Sequence, residues 1–219
     1  MLENCPVVYG ATYSVYVQAV RLTLWAKGVR YNLVEVDVFG PNGPPAEHLA
    51  RHPFGRIPAF EHGPVEVYET APICRYIDEA FEGPPLQPAM SATRATMGQA
   101  ISIMDSYAYR TLVWDIYGER LAKPRRGIEP DLVKIAAAHP RAKICLSAFN
   151  NLVPTSDWLS GAELSLADLH AAPMFALFMA SPDAPELMES NRRLTAWWRR
   201  IKEYVHPAHV LSPVSAADP

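Results

Sequence analysis

The apolar pattern at the start of the chain changes from strand to helix and back to strand. Residues 7–9 form a short apolar run closed by a glycine, which is typical of a buried strand. Residues 14–28 carry apolar side chains three or four positions apart and end on Lys-Gly, which predicts a helix. Residues 31–38 are rich in Val and Tyr and alternate in part, which predicts a second strand. Two such strands pair in parallel through a right-handed crossover.

A hairpin and another helix follow. Residues 57–60 and 65–68 flank a His-Gly-Pro turn, so they predict an antiparallel pair of strands. The proline-rich loop at 41–45 leaves room for only a short helix before them. Residues 71–81 return to helical spacing. The first eighty residues therefore predict an α+β domain.

The second half of the chain has helical patterns and no convincing strand. Apolar residues recur every three or four positions in four stretches, at residues 97–116, 131–153, 165–180 and 191–205. Residues 82–88 hold a glycine and three prolines, the composition of a linker. We therefore predict a first domain at residues 1–81, a linker at 82–90 and an all-helical domain at 91–219.

The composition and net charge of the chain exclude several classes of protein. The chain has 219 residues, 49% of them hydrophobic and 20% charged, which is enough for a sizeable core and excludes disorder, collagen and coiled coil. A net charge of −3 gives no long-range attraction to nucleic acid or an anionic membrane. Since no apolar stretch reaches the roughly 18 residues of a membrane helix and no leader pattern is visible, we expect a cytoplasmic protein.

Cysteines and histidines give no metal or disulfide pattern. Three cysteines without a Cys-x-x-Cys spacing do not make a disulfide framework, a structural zinc site or a redox pair. His48 and His52 are four residues apart, but Pro53 follows at once. We expect these two histidines to lie in a surface loop, and we expect no metal.

Ser14 stands where the first strand gives way to the first helix. A serine there is favoured as a helix N-cap. The same position lies in the positive field of the helix N-terminus, where the hydroxyl could donate to a ligand's thiolate. Such surroundings lower a thiol pKa from ~8.5 to roughly 3.5–7.5. The local sequence leaves both interpretations open.

Two further segments suit a peptide ligand. A cis Ile57-Pro58 bond would turn the Ile57 backbone outward to pair with an extended peptide, although only about 5–6% of X-Pro bonds are cis. Thr70 is predicted to be a helix N-cap with Pro72 in the first turn. The hydroxyl of Thr70 suits a carboxylate and Glu69 suits an ammonium group, so this pair could hold an amino-acid end.

Several segments resemble glutathione transferases. Residues 9–29 resemble the opening of bacterial members, and residues 52–60, His-Pro-Phe-Gly-Arg-Ile-Pro-Ala-Phe, together with 68–77, resemble the family's most diagnostic block. Ser-Leu-Ala-Asp at 165–168 is similar to its C-terminal capping box. The resemblance extends over residues 7–205. It implies a thioredoxin-like N-terminal domain with a mixed four-stranded sheet, an all-helical C-terminal domain and a homodimer.

The resemblance also implies roles for individual residues. Glutathione would be the co-substrate, with its cysteinyl backbone paired to Ile57 beside a cis Pro58. Its γ-glutamyl end would meet Glu69 and Thr70. Ser14 falls on the catalytic hydroxyl of the serine-type classes, and the chain resembles the theta- and phi-like classes among them. Thr12 and Tyr13 also offer hydroxyls.

The chain departs from the family pattern at four positions. His52 replaces the usual Asn, Thr70 replaces Ser while keeping the hydroxyl, and Val15 replaces the Pro that often follows the catalytic Ser. The usual lysine for the glycyl carboxylate is missing, and Arg56 is the nearest cation.

The second substrate is an electrophile that the sequence does not identify. Tyr107, Arg110 and Trp114 are spaced as one stripe of the long helix, and the resemblance places that helix at the electrophile pocket. The main hypothesis is a glutathione transferase that adds the thiolate to a small, apolar or aromatic electrophile. The alternatives are a glutathione-dependent lyase, dehalogenase or isomerase, and a non-catalytic binding or adaptor protein that reuses the fold.

Overall fold

The computed structural model describes residues 5–41, 43–153 and 158–205. They form two compact units that divide between Pro85 and Leu86. This division falls inside the stretch that the sequence predicts as a linker. Residues 1–4 and 206–219 of the predicted domains lie outside the described residues.

The first unit contains a four-stranded mixed sheet. Its strands are β1 Val7–Tyr9, β2 Asn32–Val34, β3 Ala59–His62 and β4 Val65–Tyr68, in the order β2-β1-β3-β4. β1 pairs in parallel with β2 and antiparallel with β3, and β3 pairs antiparallel with β4. The predicted parallel pairing of the first two strands and the predicted hairpin are thus confirmed. β3 begins at Ala59 because a proline cannot donate to the strand ladder.

Three helices accompany this sheet: α1 Val15–Ala26, α2 Ala46–Arg51 and α3 Thr70–Ala80. α1 packs against α3. Their apolar faces supply fully buried side chains, among them Val17, Val20, Leu24, Ile73 and Ile77. This packing fixes the N-termini of both helices relative to the sheet.

The second unit is all-helical within the described residues. It comprises α4 Ser91–Ile103, a π-helix Met104–Ala122, α5 Lys123–Arg125, α6 Leu132–Leu152, α7 Leu166–Ala180, α8 Ala184–Met188 and α9 Arg192–Tyr204. α7 begins with the predicted capping box, in which Asp168 accepts a hydrogen bond from the Ser165 N–H at 2.8 Å. The Ser165 hydroxyl also donates to the Asp168 carboxylate at 2.7 Å. Among the described helices, none is both long enough and apolar enough to cross a membrane.

The π-helix corrects the prediction of a regular long α-helix. Its hydrogen bonds run between residues five apart, as from the Lys123 N–H to the Gly118 carbonyl. Arg110 and Asp115, also five apart, form an ion pair at 3.1 Å. Because such a helix turns less per residue than an α-helix, the predicted alignment of Tyr107, Arg110 and Trp114 does not hold. The core positions Met104, Ala108, Leu112 and Ile116 are nevertheless fully buried.

Candidate functional site

Ser14 caps the N-terminus of α1 and retains a free donor. Its backbone is extended, and its Oγ accepts from the Val17 N–H at 3.4 Å. The side chain is half-buried. Within the described residues, the Ser14 hydroxyl donates to no acceptor. The capping interpretation is therefore correct, and it leaves the hydroxyl hydrogen able to bond a ligand at the positive end of the helix.

The two competing hydroxyls are placed differently. The Tyr13 hydroxyl donates to Asp37 Oδ1 at 3.1 Å, so its hydrogen already has an acceptor. Thr12 is exposed, and its backbone carbonyl accepts from Gln18 Nε2 at 2.9 Å. Neither side chain caps α1. Ser14 is the hydroxyl at the helix N-terminus.

Gly10 brings the beginning of α1 close to Ile57. A Cβ at Gly10 would collide with Val17 Cγ2 and would lie 3.3 Å from Ile57 Cβ. Only a glycine permits this approach without displacement. The close packing places the Ser14 end of α1 and the Ile57 segment side by side within the first unit.

The Ile57-Pro58 peptide bond is cis. The implication of the resemblance is confirmed at this bond, against the general preference for trans. Both residues are buried. In the part of the chain that the structure describes, the backbone N–H and C=O of Ile57 form no hydrogen bond. An extended peptide is the natural partner for two such groups.

Glu69 joins β4 to α3 in an unusual conformation. Its φ of 72° makes it the one described non-glycine residue with a positive φ. Strained backbone of this kind concentrates at functional sites. Glu69 is also the N-cap residue of α3, so the prediction that Thr70 is the cap is wrong. β4 ends at Tyr68, and the chain must turn into the helix at once, which makes Thr70 the first helical residue.

Because Thr70 is the first residue of α3 and not its cap, its hydroxyl is available to a ligand. It is 5% exposed, and its hydroxyl has no hydrogen-bond partner among the described residues. The N–H groups of the first turn of α3 lie beside it, in the positive field of the helix. The Glu69 carboxylate is exposed. Glu69 therefore offers a negative charge to the ammonium end of an amino acid, and Thr70 offers a neutral hydroxyl, beside the N–H groups of the first turn, to its carboxylate end.

His48 and His52 contradict the sequence prediction. Each is 1% exposed, whereas we expected both in a surface loop. His48 lies in α2, and its Nε2 is 2.7 Å from the Arg56 carbonyl oxygen. The ring of His52 packs on that of Tyr68, with centroids 4.8 Å apart. The i, i+4 spacing of two aromatic side chains, one in α2 and one at its C-cap, was the signal that could have revealed their burial.

The charge state of His52 follows from this burial. Removal from water lowers the pKa of His52, and the nearby Glu69 carboxylate acts in the opposite direction. His48 and Arg56 add to the lowering. His52 is therefore neutral at neutral pH, and its Nδ1 is buried without a partner in the described part of the chain.

Arg56 is the last of the predicted binding residues in the first unit, and a recess lies near it. Arg56 is exposed and forms no ion pair with the described residues. A recess of about 550 Å³ lies between the proline-rich loop and α2, lined by Gly40, Pro41, Gly43, Pro44, Pro45, Ala46 and Leu49. None of the predicted site residues lines it. Gly55, next to Arg56, packs against its wall, since a Cβ there would lie 2.8 Å from Pro44 Cγ.

The residues predicted for the second substrate lie in the other unit. Tyr107 and Trp114 are 63% and 40% exposed. The Arg110 side chain is also exposed, but its guanidinium contacts Asp115, which Lys134 and Arg141 contact as well at 3.3 and 3.1 Å. Nowhere in residues 5–41, 43–153 and 158–205 do three His, Cys, Asp or Glu side chains gather closely enough to hold a metal ion.

Comparisons with known proteins agree with this arrangement. Residues 8–85 match the family model "Glutathione S-transferase, N-terminal domain", and residues 98–203 match "Glutathione S-transferase, C-terminal domain". Glutathione S-transferase F12 of Arabidopsis thaliana is 26% identical over 198 residues, which is 90% of this chain and 92% of that protein. The probable glutathione S-transferase GSTF1 of Oryza sativa subsp. japonica is 29% identical over 197 residues, 89% of this chain and 90% of that protein. The solved structure of glutathione S-transferase III in apo form has a TM-score of 0.79 and 27% identity, covering 98% of this chain and 99% of that one.

Proposed function

Because the chain belongs to the glutathione S-transferase family, we propose that Ser14 stabilises the thiolate of glutathione for attack on a small electrophile. The observation that carries this role is the Ser14 hydroxyl, which caps α1 and has no acceptor of its own among the described residues. A hydrogen bond from this hydroxyl and the field of the helix N-terminus both favour the charged sulfur. The enzyme is a transferase, and the substrate thiol loses its proton to solvent before the new bond forms.

The other predicted site residues of the first unit would bind the rest of glutathione. The backbone N–H and C=O of Ile57 would pair with the cysteinyl backbone, beside Pro58. The Glu69 carboxylate would receive the α-ammonium of the γ-glutamyl residue, and Thr70 would donate to its carboxylate. Arg56 is exposed and unpaired among the described residues, which supports a role in binding the glycyl carboxylate.

The chemical step needs little more than positioning. The sulfur lone pair forms a C–S bond at the electrophilic carbon, and a leaving group departs with the bonding electrons. Holding the two reactants together and lowering the thiol pKa are the two contributions of the protein. We propose that Tyr107, Arg110 and Trp114 contact the electrophile. They do not form one stripe on the π-helix, but all three side chains are exposed. Aromatic side chains suit a planar apolar substrate.

The class within the family, the oligomeric state, the compartment and the biological role are a further part of the proposal. We propose a serine-type enzyme related to the theta and phi classes, which works as a cytoplasmic homodimer in detoxification. The relatives with plant F-type names and the Ser14 geometry support the class. The dimer and the compartment rest on the family resemblance.

The decisive experiment has two stages. Calorimetry first measures binding of glutathione to the wild-type protein, and absence of binding at millimolar glutathione would refute the proposal. Turnover of a chloronitrobenzene is then compared for wild type, Ser14→Ala and the control Tyr13→Phe. We expect Ser14→Ala to bind glutathione and to lose most of its turnover, with Tyr13→Phe close to wild type. Equal turnover in wild type and Ser14→Ala would remove Ser14 from catalysis.

A further inference from the structure

We infer that His48 is a positioning residue for the Ile57 N–H, through a hydrogen bond to the peptide group that Ile57 shares with Arg56. The inference rests on the proposed function, in which this N–H binds the glutathione backbone. His48 lies in α2, outside the residues that would contact glutathione. Its role is to orient one of them.

The geometry defines which atom of His48 donates. Its Nε2 lies 2.7 Å from the Arg56 carbonyl oxygen, and a carbonyl oxygen can only accept. Nε2 therefore carries the hydrogen. His48 is 1% exposed, so water does not compete for this bond. Its other ring nitrogen is buried without a partner in the described part of the chain, which leaves the bond to Arg56 as the polar contact of the ring.

The hydrogen bond to the Arg56 carbonyl orients the Ile57 N–H because both groups belong to the same peptide plane. The Arg56 carbonyl and the Ile57 N–H belong to one planar group. Since the peptide bond between them is trans, the two bonds point in opposite directions, and holding the carbonyl fixes the direction of the N–H. A hydrogen bond at the carbonyl also polarises the amide and strengthens its N–H as a donor. His48 thus prepares Ile57 before the ligand arrives.

The segment that contains Arg56 and Ile57 has no regular secondary structure to hold it, so the His48 hydrogen bond matters for its conformation. It is irregular from Pro53 to Pro58, without helix or strand. The Gly55 N–H donates to the His52 carbonyl at 2.8 Å, and the His52 N–H donates to the His48 carbonyl at the same distance. These bonds tie the segment to the end of α2. Of these three hydrogen bonds, the one from the His48 side chain reaches the residue next to Ile57.

Two variants of His48 separate hydrogen bonding from packing. His48→Phe keeps a buried ring but cannot donate, whereas His48→Gln places an amide N–H at a similar reach. We expect His48→Phe to raise the KM for glutathione about five- to tenfold with kcat changed less than twofold, which is the range of one buried hydrogen bond. His48→Gln should recover most of the affinity. His62→Phe is the matched control, because it removes another histidine bond, to Tyr76 at 2.8 Å, and should leave the KM unchanged.

Two kinetic results would overturn the inference: a wild-type KM in His48→Phe, or equally raised values in His48→Phe and His48→Gln. A measurement on the wild-type protein covers the case in which a variant does not fold. Long-range ¹H–¹⁵N NMR should show His48 with its hydrogen on Nε2, and a hydrogen on Nδ1 alone would refute the bond. If calorimetry shows no glutathione binding, the proposed function fails, while the tautomer still decides the hydrogen bond.

Discussion

The indole N–H of Trp197 donates to the carboxylate of Asp168 at 2.8 Å, and both side chains are fully buried. The same carboxylate accepts from the Leu159 N–H at 2.8 Å as well as from Ser165. One acidic side chain therefore joins the start of α7, the loop before it and α9. Because each donor is buried, the carboxylate is the structural centre of the second unit.

Removal of this carboxylate should destabilise the protein strongly. In Asp168→Ala the backbone and indole donors lose their acceptor, at about 1–3 kcal/mol for each buried group. We expect a loss of about 4 kcal/mol in the free energy of unfolding, measured by urea denaturation. The control is Asp131→Ala, which removes an exposed N-cap of α6 and should cost about 1 kcal/mol. Equal losses in the two variants would contradict the central role of Asp168.

Glu119 should make stability depend on pH in the acid range. Burial by itself would raise its pKa, but hydrogen bonds from Lys123, Lys134 and the Asp131 N–H lower the pKa of Glu119 to about 2. Its folded pKa therefore lies below its unfolded value of about 4.5. The contribution is present above pH 4.5 and is lost as the pH falls towards 2, by about 3 kcal/mol in total.

Unfolding by urea at several pH values from 6 down to about 2.5 would measure this contribution. Glu119→Gln should lose stability at pH 6 and show a shallower decline on acidification than wild type. The control is Glu79→Gln, since Glu79 pairs with Arg75 on the surface and such pairs contribute little. Parallel pH profiles for wild type and Glu119→Gln would show that Glu119 is not the responsible group.

The role proposed for Ser14 predicts a characteristic pH profile. Without the hydroxyl, the pKa of bound glutathione should rise towards the free-thiol value of ~8.5. The loss of kcat/KM in Ser14→Ala should then be largest near pH 6 and shrink towards pH 9, by about tenfold for each unit of pKa shift. Steady-state rates across this range, with Tyr13→Phe as control, provide the measurement. A loss that stays constant with pH would argue for a purely positional role.

Replacement of Glu69 by glycine should weaken glutathione binding and leave the stability of the protein nearly unchanged. Glycine adopts its φ of 72° freely, so Glu69→Gly relieves strain of about 1–3 kcal/mol, which offsets the entropy cost of a glycine. We expect thermal unfolding close to that of wild type and at least tenfold weaker glutathione binding by calorimetry. Glu66→Gly, in the middle of β4, should instead lose about 1 kcal/mol and keep its affinity. Unchanged affinity in Glu69→Gly would remove its carboxylate from the binding site.

The sequence predicted those parts of the fold that short-range patterns determine. Strand alternation and the His-Gly-Pro turn were sufficient for the hairpin, and helical spacing located α1 and α3. The π-helix was missed because burial of Met104, Ala108 and Leu112, four apart, is compatible with either helix type. Hydrogen-bond register is a backbone property that such spacing does not encode.

The candidate site was predicted less completely than the fold, because its contacts join residues from separate segments of the chain. The cis bond at Pro58 followed from the family resemblance alone, because the flanking residues do not overcome the general preference for trans. His48 and His52 were misplaced because the Pro53 that follows them suggested a surface loop. In the structure Tyr68 and the Arg56 carbonyl provide partners for the buried rings. These partners lie on other segments, and their proximity is a result of the fold.

The register of the β3–β4 hairpin fixes the separation of the two ligand-binding segments. Ala59 pairs with Tyr68, so Pro58 and Glu69 leave the same open end of the β3–β4 ladder, while the turn at Gly63-Pro64 closes the opposite end. The ladder works as a spacer of fixed width between the two ligand-binding segments. A longer turn would therefore leave their separation intact, whereas a deletion inside either strand would shift one segment by a residue and direct its side chains to the other face of the sheet. We therefore expect insertions to be tolerated at the turn end of this hairpin and deletions to be harmful within its strands.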